Sequence, residues 1–133
     1  MSREALFEAA RRAQAQAYAP YSRFKVGAAV LTPNGSVHAG CNVENAAYPV
    51  GTCAEAGAIA AMIAAGETSI AAVLVLGEGE ALVTPCGACR QRLREFARPQ
   101  TPVHIADLNG IRRSLTLDEL LPLAFGPDNL DQR

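Results

Sequence analysis

The sequence predicts an α/β domain built as three layers, α/β/α, around a mixed five-stranded sheet, with residues 1–133 forming a single domain. Three observations lead there. Helical and strand-like hydrophobic periods alternate along the chain. Two strand-like runs flank a tight turn and so must lie antiparallel. A strand, a helix and a strand follow one another between residues 70 and 107, the order of a parallel crossover unit with a right-handed connection. With half of its residues apolar, a chain of this length buries roughly two-thirds of its unfolded surface and needs no disulfide to fold.

Residues 3–18 carry Leu6, Phe7, Ala10, Ala13, Ala17 and Tyr18 at helical spacing, with Ser2 as N-cap and Pro20 as the stop. Residues 25–32 and 36–43 read as strands, and Pro33-Asn34-Gly35 between them as a turn in which asparagine and glycine both tolerate positive φ. The stretch 53–65 is almost entirely small or apolar and stops at Gly66, which predicts a helix buried on most sides. A continuous run rich in β-branched residues at 70–77 fits a strand covered on both faces, and 87–97 is a third helix. A short strand at 102–107, a turn at Asn109-Gly110, an edge strand at 111–116 and a final helix at 117–121 complete the chain. Residues 128–133 are expected to fray.

Composition excludes several functions. Twelve basic and thirteen acidic side chains leave a net charge of −1, without the excess that a polynucleotide backbone demands. The basic cluster of Arg90, Arg92, Arg94 and Arg98 is expected to face solvent or pair with acids. The longest apolar run, within 56–65, is too short to span a bilayer. The charged amphipathic opening lacks export features, so the four cysteines are expected in a reducing compartment, the cytoplasm, where thiols bind metal rather than pair.

The chemistry concentrates in Cys53-Ala54-Glu55 and, about thirty residues on, Pro85-Cys86-Gly87-Ala88-Cys89. Three thiols in ligand spacing leave the fourth position of zinc open, as catalytic sites do and structural sites do not. Cys41, in strand-like alternation with no second ligand at C-x-x-C distance, reads as a small buried hydrophobe. His38 and His104 read as packed or surface residues rather than ligands. Helices starting at Cys53 and at Cys86–Cys89 would turn unpaired N–H groups toward the thiolates and offset the charge of minus one that three thiolates give a zinc site. Glu55, in the first turn beside the metal, is placed to take a proton from water.

The fragments Ala19-Pro20-Tyr21-Ser22-Arg23-Phe24-Lys25-Val26-Gly27, Gly40-Cys41-Asn42-Val43-Glu44-Asn45, Cys53-Ala54-Glu55, Pro85-Cys86-Gly87-Ala88-Cys89-Arg90-Gln91 and Phe125-Gly126-Pro127 occur in family order, and the chain resembles the small homotetrameric cytidine deaminases over nearly its whole length. The resemblance implies one Zn2+ per subunit, held by Cys53, Cys86 and Cys89. It implies hydrolytic deamination of cytidine and 2'-deoxycytidine to uridine and 2'-deoxyuridine, with release of ammonia, in pyrimidine salvage. Glu55 would accept the proton of water, deliver it to N3 and then protonate the departing amino group. The same resemblance implies that Asn42 and Glu44 hold the ribose hydroxyls and that Phe24 packs on the base. Tyr48 and Ala54 would lie close to the nucleoside, and Phe125 would arrive from a neighbouring subunit of the tetramer. An amide and a carboxylate two residues apart on an extended segment point to one side, which suits two adjacent hydroxyls.

One position departs from the family. Its members commonly carry arginine directly after Cys-Ala-Glu, donating to the thiolates, whereas this chain has Ala56; Arg90, next to Cys89, is the candidate substitute. Two other readings share the thiols. One is the same chemistry on another aminopyrimidine nucleoside analogue, as in blasticidin-S-type deaminases; the other is a non-catalytic zinc-binding protein. Asn42 and Glu44 count against the first, and Glu55 against the second. The expected partner is thus a free nucleoside, with no nucleic-acid polymer and no membrane.

Overall fold

The computed structural model describes residues 2–130. Helix α1 (Ser2–Ala15) precedes a hairpin of β1 (Gly27–Leu31) and β2 (Val37–Cys41); α2 (Ala54–Ala64), β3 (Ala72–Leu76), α3 (Gly87–Phe96), β4 (Pro102–Asp107) and β5 (Gly110–Thr116) follow, and the short α4 (Leu117–Leu120) and α5 (Pro127–Leu130) come last. The sheet runs β2-β1-β3-β4-β5. Only β3 and β4, joined through α3, pair in parallel; the other neighbours are antiparallel, which gives the expected mixed five-stranded sheet.

The two-residue period of the strands sorts the core into two halves. Val30, Val73, Val75, Val103 and Ile105 pack with Ala58, Met62 and Leu93 from α2 and α3. Ala29, Leu74, Leu76 and Ala106 pack with Leu6 and Ala10 from α1. The layers are therefore α1, the sheet, and α2 with α3. Every residue of β3 is buried, as its unbroken apolar run requires.

Local structure departs from the sequence pattern where backbone groups have competing partners. Helix α1 stops at Ala15 because the Tyr18 N–H donates to Asn42 O at 3.0 Å and Tyr18 O accepts from Glu44 N–H at 2.8 Å; residue 18 pairs with Val43 before Pro20 can act. In the β1–β2 turn only Gly35 has positive φ, at 93°. Asn34 keeps an ordinary backbone, and its Oδ1 accepts from the Thr32 hydroxyl at 2.7 Å and the Ser36 N–H at 3.0 Å. Thr116 and Glu119 form a reciprocal capping box at the start of α4.

Helix α2 is not buried on most sides within one chain. It buries Ala54, Glu55, Ala58, Ile59 and Met62, but Ala60, Ile63 and Ala64 are exposed. Cys41 is half-buried rather than buried, since β2 is an edge strand. A 3-10 turn at Tyr48–Val50, carrying Pro49, and the short α5 had no counterpart in the periodicity. The side chain of Ser2, expected to cap α1, lies outside the described residues; of residues 128–133, expected to fray, 128–130 belong to α5 and 131–133 lie outside the described residues. Among the described residues no helix is long and apolar enough to cross a membrane.

Neither histidine joins the cysteines. His38 Nε2 lies 3.0 Å from Glu67 Oε2. His104, on β4, is buried, and its Nδ1 is hydrogen-bonded to Ser114 Oγ at 2.7 Å. Burial, and secondarily the charge of Arg3, pushes the His104 pKa below its usual 6.5. A base whose folded pKa is depressed favours folding above its unfolded pKa and loses that contribution as pH falls toward the folded value. We therefore expect the urea midpoint to drop on acidification from about pH 7 to about pH 5, and His104→Gln to make that drop smaller. Equal drops in the two proteins would remove His104 from the acid sensitivity.

Candidate active site

Two helix starts meet at the α2–α3 end of the sheet. Cys53 is the N-cap of α2 and Cys86 the N-cap of α3, while Cys89 lies in the first turn of α3. Their three sulfurs lie within 4.8 Å of one another, the one such group of potential metal ligands among the described residues. Tetrahedral Zn–S bonds of ~2.3 Å place sulfurs ~3.8 Å apart, so the donor set fits a zinc ion with a fourth position free. Without metal, burial raises the Cys53 and Cys89 thiols, whereas the Cys89 backbone N–H lowers Cys86. Bound zinc overrides such differences, since a coordinating thiol loses its proton outright.

Glu55 stands in the first turn of α2, only 4% exposed. Its burial raises the carboxyl pKa, opposed by a backbone hydrogen bond, the Cys89 thiol and the Arg92 charge. A buried carboxyl beside a metal-ligand cluster, with opposing influences on its proton, is the environment that general acid–base chemistry uses.

A cleft of about 570 Å³ opens onto Cys53, Glu55 and Cys86, within the usual span of small-molecule sites. Backbone pairing builds its wall. Val43 exchanges hydrogen bonds with Thr52, 3.0 and 2.9 Å, immediately before the first cysteine, while Asn42 and Glu44 bond to Tyr18 on the other side. Residues 42–44 are thus fixed next to Cys53. The alternation of the segment sends the Asn42 and Glu44 side chains to one side, as expected, and there they organise residues 20–26. Asn42 Nδ2 donates to Phe24 O at 2.7 Å, and its Oδ1 accepts from Val26 N–H at 2.9 Å. Glu44 Oε1 accepts from the N–H groups of Tyr21 and Ser22 at 2.9 and 3.1 Å, and Oε2 from the Ser22 hydroxyl. The Ser22 hydroxyl, helped by those two N–H groups, holds the Glu44 carboxyl below the usual range, so it stays ionised.

Phe24, Tyr48 and Ala54 also line the cleft. Tyr21, which the motif reading had not assigned a role, sets its ring 5.9 Å from that of Tyr48, tilted by 59°. Phe125 does not line the cleft of its own chain; it is 58% exposed, and its carbonyl accepts from Gln91 Nε2 at 2.8 Å.

A family model described as the cytidine and deoxycytidylate deaminase zinc-binding region matches residues 1–105, the span that holds all three thiols and the cleft. This chain belongs to that family. It is 42% identical over 130 residues to the cytidine deaminase of Sporosarcina psychrophila, covering 98% of this chain and 96% of that protein. The cytidine deaminase of Halalkalibacterium halodurans is 40% identical over 131 residues, covering 98% and 99%. The crystal structure of the Burkholderia pseudomallei cytidine deaminase superposes with a TM-score of 0.88 at 46% identity, covering 94% of this chain and 100% of that one. That of the Mycobacterium tuberculosis cytidine deaminase gives 0.79 at 38%, covering 92% and 96%.

Against the deaminase pattern of an arginine after Cys-Ala-Glu, the expected substitute Arg90 is corrected by the structure. Its guanidinium turns away from sulfur, donating to Pro85 O at 2.7 Å, Leu120 O at 2.8 Å and Thr84 Oγ1 at 3.1 Å. It ties the loop before Cys86 to the end of α4. The donor to sulfur is Arg92, whose Nη1 lies 3.4 Å from Cys89 Sγ. Arg92 is exposed, as expected of the cluster, whereas Arg90 is half-buried and spends its donors on carbonyl and hydroxyl oxygens. The signal for Arg92 was present in the three-residue offset from Cys89, which puts both on one face of α3.

Proposed function

We infer that the chain is a zinc-dependent hydrolase that converts cytidine and 2'-deoxycytidine to uridine and 2'-deoxyuridine, with ammonia as the second product. The observation that carries this reading is the set of three thiol sulfurs within 4.8 Å of one another at the head of a cleft, with the buried Glu55 carboxyl beside them. Cys53, Cys86 and Cys89 hold the metal. Zinc supplies Lewis acidity there, which makes hydroxide available near neutral pH.

The other steps fall to the chain itself. Glu55 takes one proton from water and donates it to the ring N3 so that C4 becomes electrophilic; once the hydroxyl has added to C4, Glu55 takes the second proton from it and gives it to the 4-amino group, which leaves as ammonia as the 4-oxo group forms. One water is consumed and no proton is lost overall. Asn42 and Glu44 bind the ribose hydroxyls; both keep accepting capacity beyond the bonds that hold residues 20–26. Phe24 packs on the base, with Tyr48 and Ala54 closing around the nucleoside. Phe125 completes the site of a neighbouring subunit in a homotetramer. Its exposure supports that role, as do the exposed Ala60, Ile63 and Ala64 on α2. Four free cysteines suit the reducing cytoplasm, and the reaction suits pyrimidine salvage.

Zinc-loaded protein incubated with cytidine should show the ultraviolet change of a 4-amino pyrimidine becoming a 4-oxo pyrimidine, and Glu55→Ala should not. Protein with one zinc per chain that leaves cytidine intact would move the assignment to another aminopyrimidine substrate.

A further inference from the structure

Zinc held by three thiolates carries a formal charge of minus one, and an excess of negative charge weakens the Lewis acidity of a centre. The cation that the structure brings to a ligand sulfur is Arg92, through Nη1 to Cys89 Sγ at 3.4 Å. Its neighbours on α3 are engaged elsewhere: Arg90 with Pro85, Thr84 and Leu120, and Arg94 with Asp128 and Ala97 O.

We propose that Arg92 is the positioning residue that compensates the thiolate charge of this metal centre, taking from α3 the place that Ala56 leaves open on α2. The two helices make the exchange possible by geometry. Each begins at a ligand cysteine, and Arg92 follows Cys89 at the three-residue offset with which Ala56 follows Cys53. A guanidinium three positions along a helix reaches back to the earlier side chain, remains charged throughout the working pH range, and donates to sulfur without competing for the metal. The hydrogen bond also fixes the orientation of the Cys89 sulfur, and partners that orient metal ligands in this way strengthen metal binding. Arg92 therefore favours retention of zinc and a more electrophilic centre, while adding nothing to nucleoside affinity.

This inference rests on the zinc reading above, and the experiment separates the two. Full-length wild-type protein, Arg92→Ala, Arg92→Lys, Arg98→Ala and the double variant Ala56→Arg/Arg92→Ala are loaded with zinc and titrated with a chromophoric zinc chelator; kcat and KM for cytidine are measured on the same samples. Arg92→Ala should give up zinc on the order of tenfold more readily, the low end for a charge-assisted hydrogen bond at a partly exposed site. Its kcat should fall and its KM stay constant. Arg92→Lys should be intermediate, the double variant should regain zinc retention, and Arg98→Ala, with the same change in net charge, should match wild type. Zinc retention and kcat of Arg92→Ala equal to wild type would overturn the proposal while leaving the zinc reading intact, as would equal loosening by Arg98→Ala. Wild-type protein that takes up no zinc would overturn both.

Discussion

Glu55→Gln is expected to lower kcat on cytidine by about 10²- to 10⁴-fold, with zinc still bound at one ion per chain and KM little changed. Glutamine keeps the volume and the hydrogen-bonding reach of glutamate at a position only 4% exposed, so the start of α2 and the Cys53 ligand stay where they are. What it removes is the ability to carry a proton. The reaction needs two protons carried from water, one to N3 and one to the departing amino group, and among the described residues the other acid in the lining of the cleft, Glu44, is bound to Tyr21 and Ser22. Burial, which raises the Glu55 pKa, works in favour of a group that must release the proton as readily as it accepts it. Initial rates at saturating cytidine, with metal content measured on the same samples, decide the matter. A fall of less than tenfold with zinc in place would take the proton shuttle away from Glu55, and loss of zinc would make its role structural.

The features legible in the sequence are those set by neighbours along the chain. Cys53 and Cys86 cap helices because each is followed by a helical run, and the C-x-x-C offset of Cys86 and Cys89 fits one helical turn; their convergence with Cys53 follows from the metal chemistry that three thiols and one carboxylate specify. The strands are legible for the same reason, the hairpin strands as periods of two about a turn and β3 as an unbroken run rich in β-branched residues. What the sequence hid were competitions between distant groups. The end of α1 is decided by Asn42 and Glu44, which bond to the Tyr18 backbone, not by Pro20. The face of α2 that stays open has the same alanine-rich composition as the face that is buried. Between two arginines on α3 separated by Gln91, adjacency to Cys89 points to Arg90, whereas helical geometry, together with the carbonyls of Pro85 and Leu120, assigns the sulfur to Arg92. Asn42 and Glu44 carry a second task that no motif reveals: each is a fastener for residues 20–26, so substituting either should disturb Phe24 and Tyr21 along with any contact to ribose.

The second large effect is expected at a residue with no chemistry at all. Gly40→Ala should cost about 3 kcal/mol of folding stability and lower zinc affinity at the same time. A Cβ added at Gly40 would lie 2.4 Å from Ala58 N, 2.6 Å from Gly57 C and 2.7 Å from Ala54 O. All three are backbone atoms of α2, so no side chain can swing aside; β2 and α2 touch main chain to main chain, with Gly57 facing Gly40 across the contact. The helix must move as a body. Helix α2 carries Cys53 at its start and Glu55 in its first turn, whereas Cys86 and Cys89 ride on α3 and stay behind. A displacement of ~1 Å is a large fraction of the tolerance of a Zn–S bond, so it spoils the three-sulfur geometry before it unfolds the domain. Gly87→Ala provides the contrast, because its Cβ would meet nothing within 4 Å; its urea midpoint should stay within about 0.5 kcal/mol of wild type. Equal midpoints for Gly40→Ala and wild type would show that α2 is free to adjust at this contact, and the placement of Cys53 and Glu55 would then need another source of rigidity.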